Sequence, residues 1–523
     1  MLKLKLHKNN LVSRVYENFL ADPKQHVYLI QQRKYHFKEN AFDIISYNNL
    51  FELISKYIQI LQKKDLVGKR VVILHPLNVE MLALLFAMFA TGTVPVFIDP
   101  NVGFKHLKAC IASSKADFVL TNRKLKILAW LLTYKESTLS VITLSRLNKQ
   151  LYGVSGETIF ESDHHEIAGI FYTSGSTGVP KGVIWTHENM RSQIELLKEM
   201  TPKLTKGFLL ALFPLFLIYA PIMGNPVIWP KTNLSKPIKI DPKQIIKILE
   251  FFPVELTFGS PIIWKRMVAY CQEMKLTMPT IKAALCGGAP LPQAVIDEMK
   301  MYMKEGDFLI TYGATEALPI SFYSANLANN NFQLKGTLLG KPFKQTSVKI
   351  IPETDIQHHI PKTAYNLGEI AVKGSQVTPG YIHNYENASK NSQDEGWHYT
   401  GDYGYLDEEK NLWYFGRKSH AITIDSKRYY PVPIEKKLQE ILNISICTIA
   451  AVSNKIYLII EKKILKALAA KPLELLKKIN KSFEQEDLVF SGILEYPDAF
   501  PVDKRHYSKL NRSKIQQWAS TQK

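Results

Sequence analysis

The chain has 523 residues, 46% hydrophobic and 22% charged, which allows a large core plus a second domain and argues against disorder. Lys and Arg total 66 against 47 Asp and Glu, and the net charge of +19 favours anionic partners, a membrane surface included. The basic residues are spread from Lys3 to Lys523 with no helix-turn-helix, zinc-finger or RNA-recognition signature, so no nucleic-acid partner is expected.

The four cysteines (Cys110, Cys271, Cys286, Cys447) lie far apart and form no C-x-x-C pair. That excludes a disulfide framework or structural zinc by pattern and fits a reducing cytoplasm. The opening residues lack an uninterrupted apolar segment of signal-peptide type, so a cytoplasmic location is expected.

Along the first half, helical and strand patterns alternate. Leu50–Gln62 has helical spacing, Arg70–Leu74 is a short β-rich run, Met81–Ala90 reads as a helix and Val94–Phe97 as a strand. Strands are expected again at Ile167–Tyr172 and Leu256–Phe258. Such alternation predicts parallel α/β architecture. Met81–Ala90 is too short to cross a bilayer. Phe208–Gly224 is longer, but Pro214 and Pro221 interrupt it, and it reads as a buried strand-and-loop segment. No transmembrane segment is expected, while peripheral membrane contact stays open.

Beyond Gly336, short strands at Val348–Ile351, Gly368–Val372 and Leu412–Phe415 predict a β-rich subdomain. After Arg417 the chain reads as a shorter α+β segment, with Pro431 and Pro433 preceding a helix at Ile434–Leu442. The expected fold is therefore α/β. A large N-terminal domain (1–417) of parallel-sheet subdomains and a β-rich subdomain precedes a small mobile α+β C-terminal domain (418–523).

The segment from Tyr172 through Thr173, Ser174, Gly175, Ser176, Thr177, Gly178, Val179, Pro180 and Lys181 to Gly182 follows an apolar strand. Its glycines allow close approach of backbone N–H groups to an anion, its hydroxyls add donors, and Lys181 adds positive charge. That chemistry suits a polyphosphate. It is not a Walker loop, because Lys181 follows Pro180 instead of the last glycine of G-x-x-x-x-G-K-[ST].

The segment resembles the phosphate-binding loop of the adenylate-forming superfamily, which includes acyl-CoA synthetases, luciferases and peptide-synthetase adenylation domains. His187 and Asn189 follow at the usual distance. Further motifs agree in order. Tyr312-Gly313-Ala314-Thr315-Glu316 resembles the second signature, which implies Glu316 as ligand of Mg²⁺ on the ATP phosphates, Thr315 on the AMP phosphate and Tyr312 stacked on adenine. Gly287-Gly288-Ala289-Pro290 resembles the adenine-contacting turn. Tyr399-Thr400-Gly401-Asp402 resembles the ribose site, and Arg417 the donor fork beside it, with Lys418 and Ser419 as the hinge. Lys509-Leu510-Asn511-Arg512 resembles the catalytic lysine motif, with Lys509 bridging carboxylate and α-phosphate. Lys181, Glu316 and Lys509 are thus the expected catalytic residues, with ATP and Mg²⁺ required.

Phe213–Pro221 departs from the P-L-F-H-x-x-G of many acyl-CoA synthetases, because Leu217 replaces the histidine and Ala220 the glycine. With Phe258–Pro261, Tyr312–Pro319, Gly416–His420, Phe500–Asp503, Arg505 and His506, this resembles the olefin-pathway β-lactone synthetases. The resemblance implies adenylation of a long-chain β-hydroxy fatty acid and intramolecular closure to a β-lactone. Phe213, Leu217, Ala220, Gly259 and Leu318 are the expected acyl pocket. The loop Ile424–Tyr430 has no glycine, with Ser426 near its usual place, which leaves use of coenzyme A undecided. Two other readings stand: a long-chain fatty acyl-CoA ligase or an acyl-AMP ligase loading a carrier protein, and a catalytically idle nucleotide-binding regulator; an acyl carrier or a pathway enzyme is the partner this implies beside the small molecules.

Overall fold

The computed structural model describes residues 9–21, 28–33, 42–99, 102–133, 139–150, 167–173, 181–234, 236–279, 281–303, 305–327, 336–352, 357–358, 366–382, 396–424, 427–468, 471–486, 488–502 and 510–522.

The alternating first half folds into a six-stranded sheet. Its spatial order is Ser140–Thr143, Phe118–Thr121, Arg70–Leu74, Val94–Phe97, Ile167–Thr173, Lys181–Thr186. The first five run parallel and the last pairs antiparallel. Helix Val79–Thr91 shows why the apolar run is not a membrane span. Every residue from Met81 to Thr91 is buried in the protein, the Asn78 side chain caps its first turn, and Gly92 ends it in the left-handed conformation. No helix among the described residues is long and apolar enough to cross a membrane.

A thirteen-stranded sheet forms the second layer, and it changes character midway. From Leu29–Gln32 through Val227–Trp229, Phe208–Leu210, Val254–Gly259, Ala283–Cys286 and Asp307–Ala314 it is parallel. From Ala317–Ser324 through Thr337–Pro342, Leu412–Arg417, His398–Leu406 and Gly368–Lys373 to Ser347–Pro352 it is antiparallel. The switch occurs at the hairpin joining Asp307–Ala314 to Ala317–Ser324, whose two-residue turn is Thr315-Glu316.

Phe208–Gly224 differs from its expected strand and loop. A short strand, Phe208–Leu210, leads to an α-helix, Phe216–Met223, with Pro221 inside it. Proline lacks the N–H that would bond Leu217 O. The buried Tyr28 hydroxyl supplies that bond instead, at 3.2 Å. Asn18 Nδ2 donates to the carbonyls of Pro221 and Ile222, at 3.1 and 2.9 Å. With its freed carbonyl satisfied, a fully apolar helix is stable in the core. Likewise, helix Pro431–Leu442 starts three residues earlier than expected, because proline is well suited to the first turn.

Past Arg417, strands Thr448–Val452, Lys455–Glu461 and Phe490–Tyr496 form a separate three-stranded sheet. Its core joins Leu438, Leu458, Ile479, Phe483 and Phe490. All four cysteines are buried and free.

Candidate active site

The strand ends at Thr173 and Lys181 face each other as an antiparallel pair, so both ends of the phosphate-loop segment are held at one place. Ser174, Gly175, Ser176, Thr177 and Gly178 lie outside the described residues. Lys181 is exposed, and its Nζ sits 5.0 Å from the centre of the Tyr381 ring. That ring is carried alongside by a bridge between Val183 and Tyr381 and by a 3.0 Å bond from Ile184 N to Gly380 O.

The hairpin turn brings Glu316 to the same spot. Its Oε1 accepts a 2.8 Å bond from the Tyr381 hydroxyl, and its main-chain oxygen accepts one of 2.8 Å from Thr378 N. The Thr315 carbonyl accepts a 2.8 Å bond from Trp185 Nε1, on the strand that starts at Lys181. Glu316 therefore belongs to a turn pinned to both sheets. Gly313 is required by close approach, since a Cβ there would stand 2.8 Å from Leu318 Cδ1 and 2.9 Å from Ala317 O.

Tyr312 leaves this hairpin on the other side and donates to Asp402 Oδ2 at 2.8 Å. Asp402 lies opposite Arg417 in the sheet register, and Arg417 Nε is 3.1 Å from Asp402 Oδ1. Asp402 N donates to Thr400 Oγ1 at 3.1 Å. The Asp402 carboxylate is the main reason the Arg417 guanidinium is held more firmly protonated than usual, against the effect of burial. Burial, then the same carboxylate, pushes the Tyr312 phenol far up, so it remains a donor. Arg417 also feels Glu316, which joins the two groups into one charged array.

Gly288, Ala289 and Pro290 follow strand Ala283–Cys286, next to the strand that carries Tyr312. Gly288 has φ +89°, a conformation that favours glycine, and is exposed. On the other flank, Lys418 Nζ is 3.3 Å from Glu369 Oε2. Lys418 and Ser419 are exposed within a single 3₁₀ turn, Lys418–His420.

Lys509 lies outside the described residues, as do Asp503, Arg505, His506 and Ser426. The flanks of the lysine segment are well held: Val502 and Leu510 form an antiparallel bridge, and Asn511 N donates to Pro501 O at 2.8 Å.

The expected pocket residues divide. Leu217 and Ala220 are 0% exposed, packed in the main core. Phe213 and Leu318 are half-buried against that same core, and Phe213 meets the Phe258 ring at 5.3 Å. Gly259 is buried, and its carbonyl accepts a 3.0 Å bond from Trp264 Nε1.

His187 opens the helix after the strand that starts at Lys181. It is buried, its Nδ1 accepts from Leu11 N at 3.4 Å, and its ring meets Phe89 edge-on. Burial lowers its pKa to about 4. Asn189 caps its helix through Thr186 and binds the carbonyls of Ser375 and Val377, at 2.8 and 2.9 Å. One residue that sequence reasoning missed enters the array, Tyr381, and a second, His398, senses its charges. Burial lowers the His398 pKa against the pull of Glu316 and Glu369, and Lys181 acts with burial.

A family model described as AMP-binding enzyme matches residues 23–382. The olefin beta-lactone synthetase of Xanthomonas campestris pv. campestris is 26% identical over 496 residues, 87% of each chain. The 2-succinylbenzoate–CoA ligase of a Geobacillus species is 30% identical over 71% of this chain and 72% of its own. The crystal structure of ATP-bound MatB from Rhodopseudomonas palustris matches 98% of this chain and 99% of its own, with TM-score 0.79 and 19% identity.

Proposed function

From the premise that this chain belongs to the AMP-binding enzyme family and is an adenylate-forming ligase, we propose that it activates a long-chain β-hydroxy acid and closes the acyl-AMP to a β-lactone. The observation that carries the reading is likeness along most of both chains to an olefin beta-lactone synthetase. Leu217 supports it, because a buried apolar residue stands where many acyl-CoA synthetases carry a polar group.

In the first step a carboxylate oxygen attacks the α-phosphorus of ATP, and pyrophosphate leaves. Lys181 and the loop from Thr173 hold the phosphates, Asp402 and Arg417 hold the ribose, and Lys509 balances charge at the reacting phosphate. Gly288, Ala289, Pro290 and Tyr312 border the adenine, with Thr315 at the α-phosphate. Glu316 is the residue that would hold Mg²⁺. A single hard carboxylate suits an ion whose other ligands come from substrate phosphates, and no cluster of three metal-ligating side chains occurs among the described residues. The bound ion would offset phosphate charge.

In the second step the β-hydroxyl oxygen attacks the acyl carbonyl carbon, the C–O bond to the phosphate breaks, AMP leaves, and the hydroxyl proton passes to solvent. Between the steps, residues 418–523 turn about Lys418 and Ser419 as a small domain on the larger 1–417 unit. Phe213, Gly259 and Leu318 border the acyl chain, with Leu217 and Ala220 backing it.

A second reading, transfer of the acyl group to coenzyme A, is favoured by likeness to the 2-succinylbenzoate–CoA ligase. Product analysis with ATP, Mg²⁺ and a long-chain β-hydroxy acid separates the two. A lactone formed without coenzyme A is expected. A thioester that requires coenzyme A, with no lactone, would sink the favoured reading. Absence of carboxylate-dependent ATP–pyrophosphate exchange across a panel of acids would remove the adenylation step itself.

A further inference from the structure

Helices Phe104–Ser114 and Lys126–Thr133 pack on each other beside the six-stranded sheet. Leu107, Cys110, Ile111, Ala129 and Leu132 from the two helices share one core cluster, so their outer faces look the same way. That outer surface is apolar where solvent would ordinarily select polar groups. Phe104 is 53% exposed, Ile127 73%, Trp130 53% and Leu131 47%. Large apolar side chains grouped on a surface mark a contact site.

Charge decides what the contact is. Lys105 follows Phe104, and Arg123, Lys124 and Lys126 lead into Ile127, and all four are exposed. Between Gly103 and Thr133 the sequence has one acidic residue, Asp117, and its carboxylate accepts a bond from Arg70 N at 2.8 Å. A surface of Trp, Ile, Leu and Phe rimmed by Lys and Arg matches an anionic bilayer interface: apolar side chains enter the acyl boundary and cations meet phosphate headgroups. Indole is well suited to that boundary, apolar in its ring and polar at its N–H.

We propose that this helix pair is a membrane-docking surface that seats the protein on anionic phospholipid. It goes beyond the proposed reaction and does not depend on which product forms.

The test is co-sedimentation of the full chain with vesicles of phosphatidylcholine alone and of phosphatidylcholine mixed with phosphatidylserine. Binding is expected with the anionic vesicles, falling as salt rises. The variant Ile127→Gln/Trp130→Gln/Leu131→Gln keeps good helix formers and should weaken binding by about tenfold or more. Lys124→Glu/Lys126→Glu should abolish the preference for phosphatidylserine. Brominated lipid should quench wild-type tryptophan emission more than that of Trp130→Phe. Both multiple variants should retain wild-type ATP–pyrophosphate exchange with a water-soluble acid, which shows that they fold. The proposal fails if the wild type does not bind anionic vesicles, or if the variants bind as well as it does. It fails also if sedimentation velocity without lipid shows a dimer that the glutamine variant dissociates, since the patch would then join two copies of the chain.

Discussion

Arg512 and Glu435 form a bidentate ion pair, Nη1–Oε1 2.5 Å and Nη2–Oε2 2.6 Å, 77 residues apart in sequence. Thr448 Oγ1 donates to the same carboxylate at 2.6 Å, and Ile449 N at 3.3 Å. Burial works against the guanidinium charge, but Glu435 outweighs it and raises the Arg512 pKa. Arg512 opens the last helix, three residues after Lys509 in sequence, so the pair anchors the start of that helix. Arg512→Ala strands a buried carboxylate and should cost about 3–5 kcal/mol of stability in urea denaturation. Arg512→Met with Glu435→Leu should recover most of it, because neither charge is then buried alone. The single variant should lose ATP–pyrophosphate exchange more than conversion of supplied acyl-AMP.

Tyr312 and Arg417 hold the two oxygens of Asp402. With Asp402 as the ribose acceptor, its orientation sets ATP affinity. A hydrogen bond to a charged group contributes about 1.5–3 kcal/mol, so Tyr312→Phe should raise the KM for ATP by about tenfold or more. Asp402→Asn should have the larger effect, since Arg417 loses its main partner. Exchange kinetics with varied ATP measure both, and an unchanged KM in Asp402→Asn would remove this residue from the nucleotide site.

Tyr381 orients Glu316 through its hydroxyl. Tyr381→Phe should raise the Mg²⁺ concentration for half-maximal exchange several-fold, and Glu316→Gln should raise it more. The readout is a Mg²⁺ titration at saturating ATP. A positioning role predicts that excess Mg²⁺ restores Tyr381→Phe. Persistent low activity at all Mg²⁺ concentrations would assign the tyrosine to something else.

The sequence made the parallel half legible because its strands, and the helix after Asn78, are nearly continuous buried apolar runs. Val79–Thr91 is apolar from Met81 to Ala90 and bounded by Asn78 and Gly92, both readable as stops. Phe216–Met223 was not legible, because Pro214 and Pro221 argue locally against a helix. The compensation comes from Tyr28, 189 residues away. The site shows the same divide. Glu316 stands inside a recognisable string, but Tyr381 carries no local signal, since it reaches Glu316 and Lys181 only through pairing between elements. His187 has the spacing of a motif residue and the surroundings of a core residue, and only its neighbours Leu11 and Phe89 tell the two apart.

Tyr28 and Pro221 should be coupled energetically. Tyr28→Phe removes the donor to Leu217 O in a buried site and should cost about 1–3 kcal/mol. Pro221→Ala restores an N–H within the helix that can take the same carbonyl. A double-mutant cycle in urea should therefore find Tyr28→Phe less costly in the Pro221→Ala background. Equal costs in both backgrounds would mean that the hydroxyl does not compensate for the proline.

His187 should make the fold acid-labile in a defined window. Burial holds its folded pKa at about 4, below the ordinary value of about 6.5. The unfolded chain therefore binds the proton first as pH falls, and stability drops between about pH 6.5 and pH 4, then levels off. The loss attributable to this group is about 3 kcal/mol. Other histidines contribute in the same range, since burial followed by Arg512 and Arg417 also lowers His420 to about 4. The decisive quantity is therefore the difference between wild type and His187→Leu. At pH 7 the variant should be the less stable, because Leu11 N loses its acceptor. As pH falls to 4 the gap should narrow or reverse, because the variant has no proton to take up at that position. Urea denaturation at pH 7, 5.5 and 4 measures the gap, and a constant gap would show that His187 does not titrate against folding.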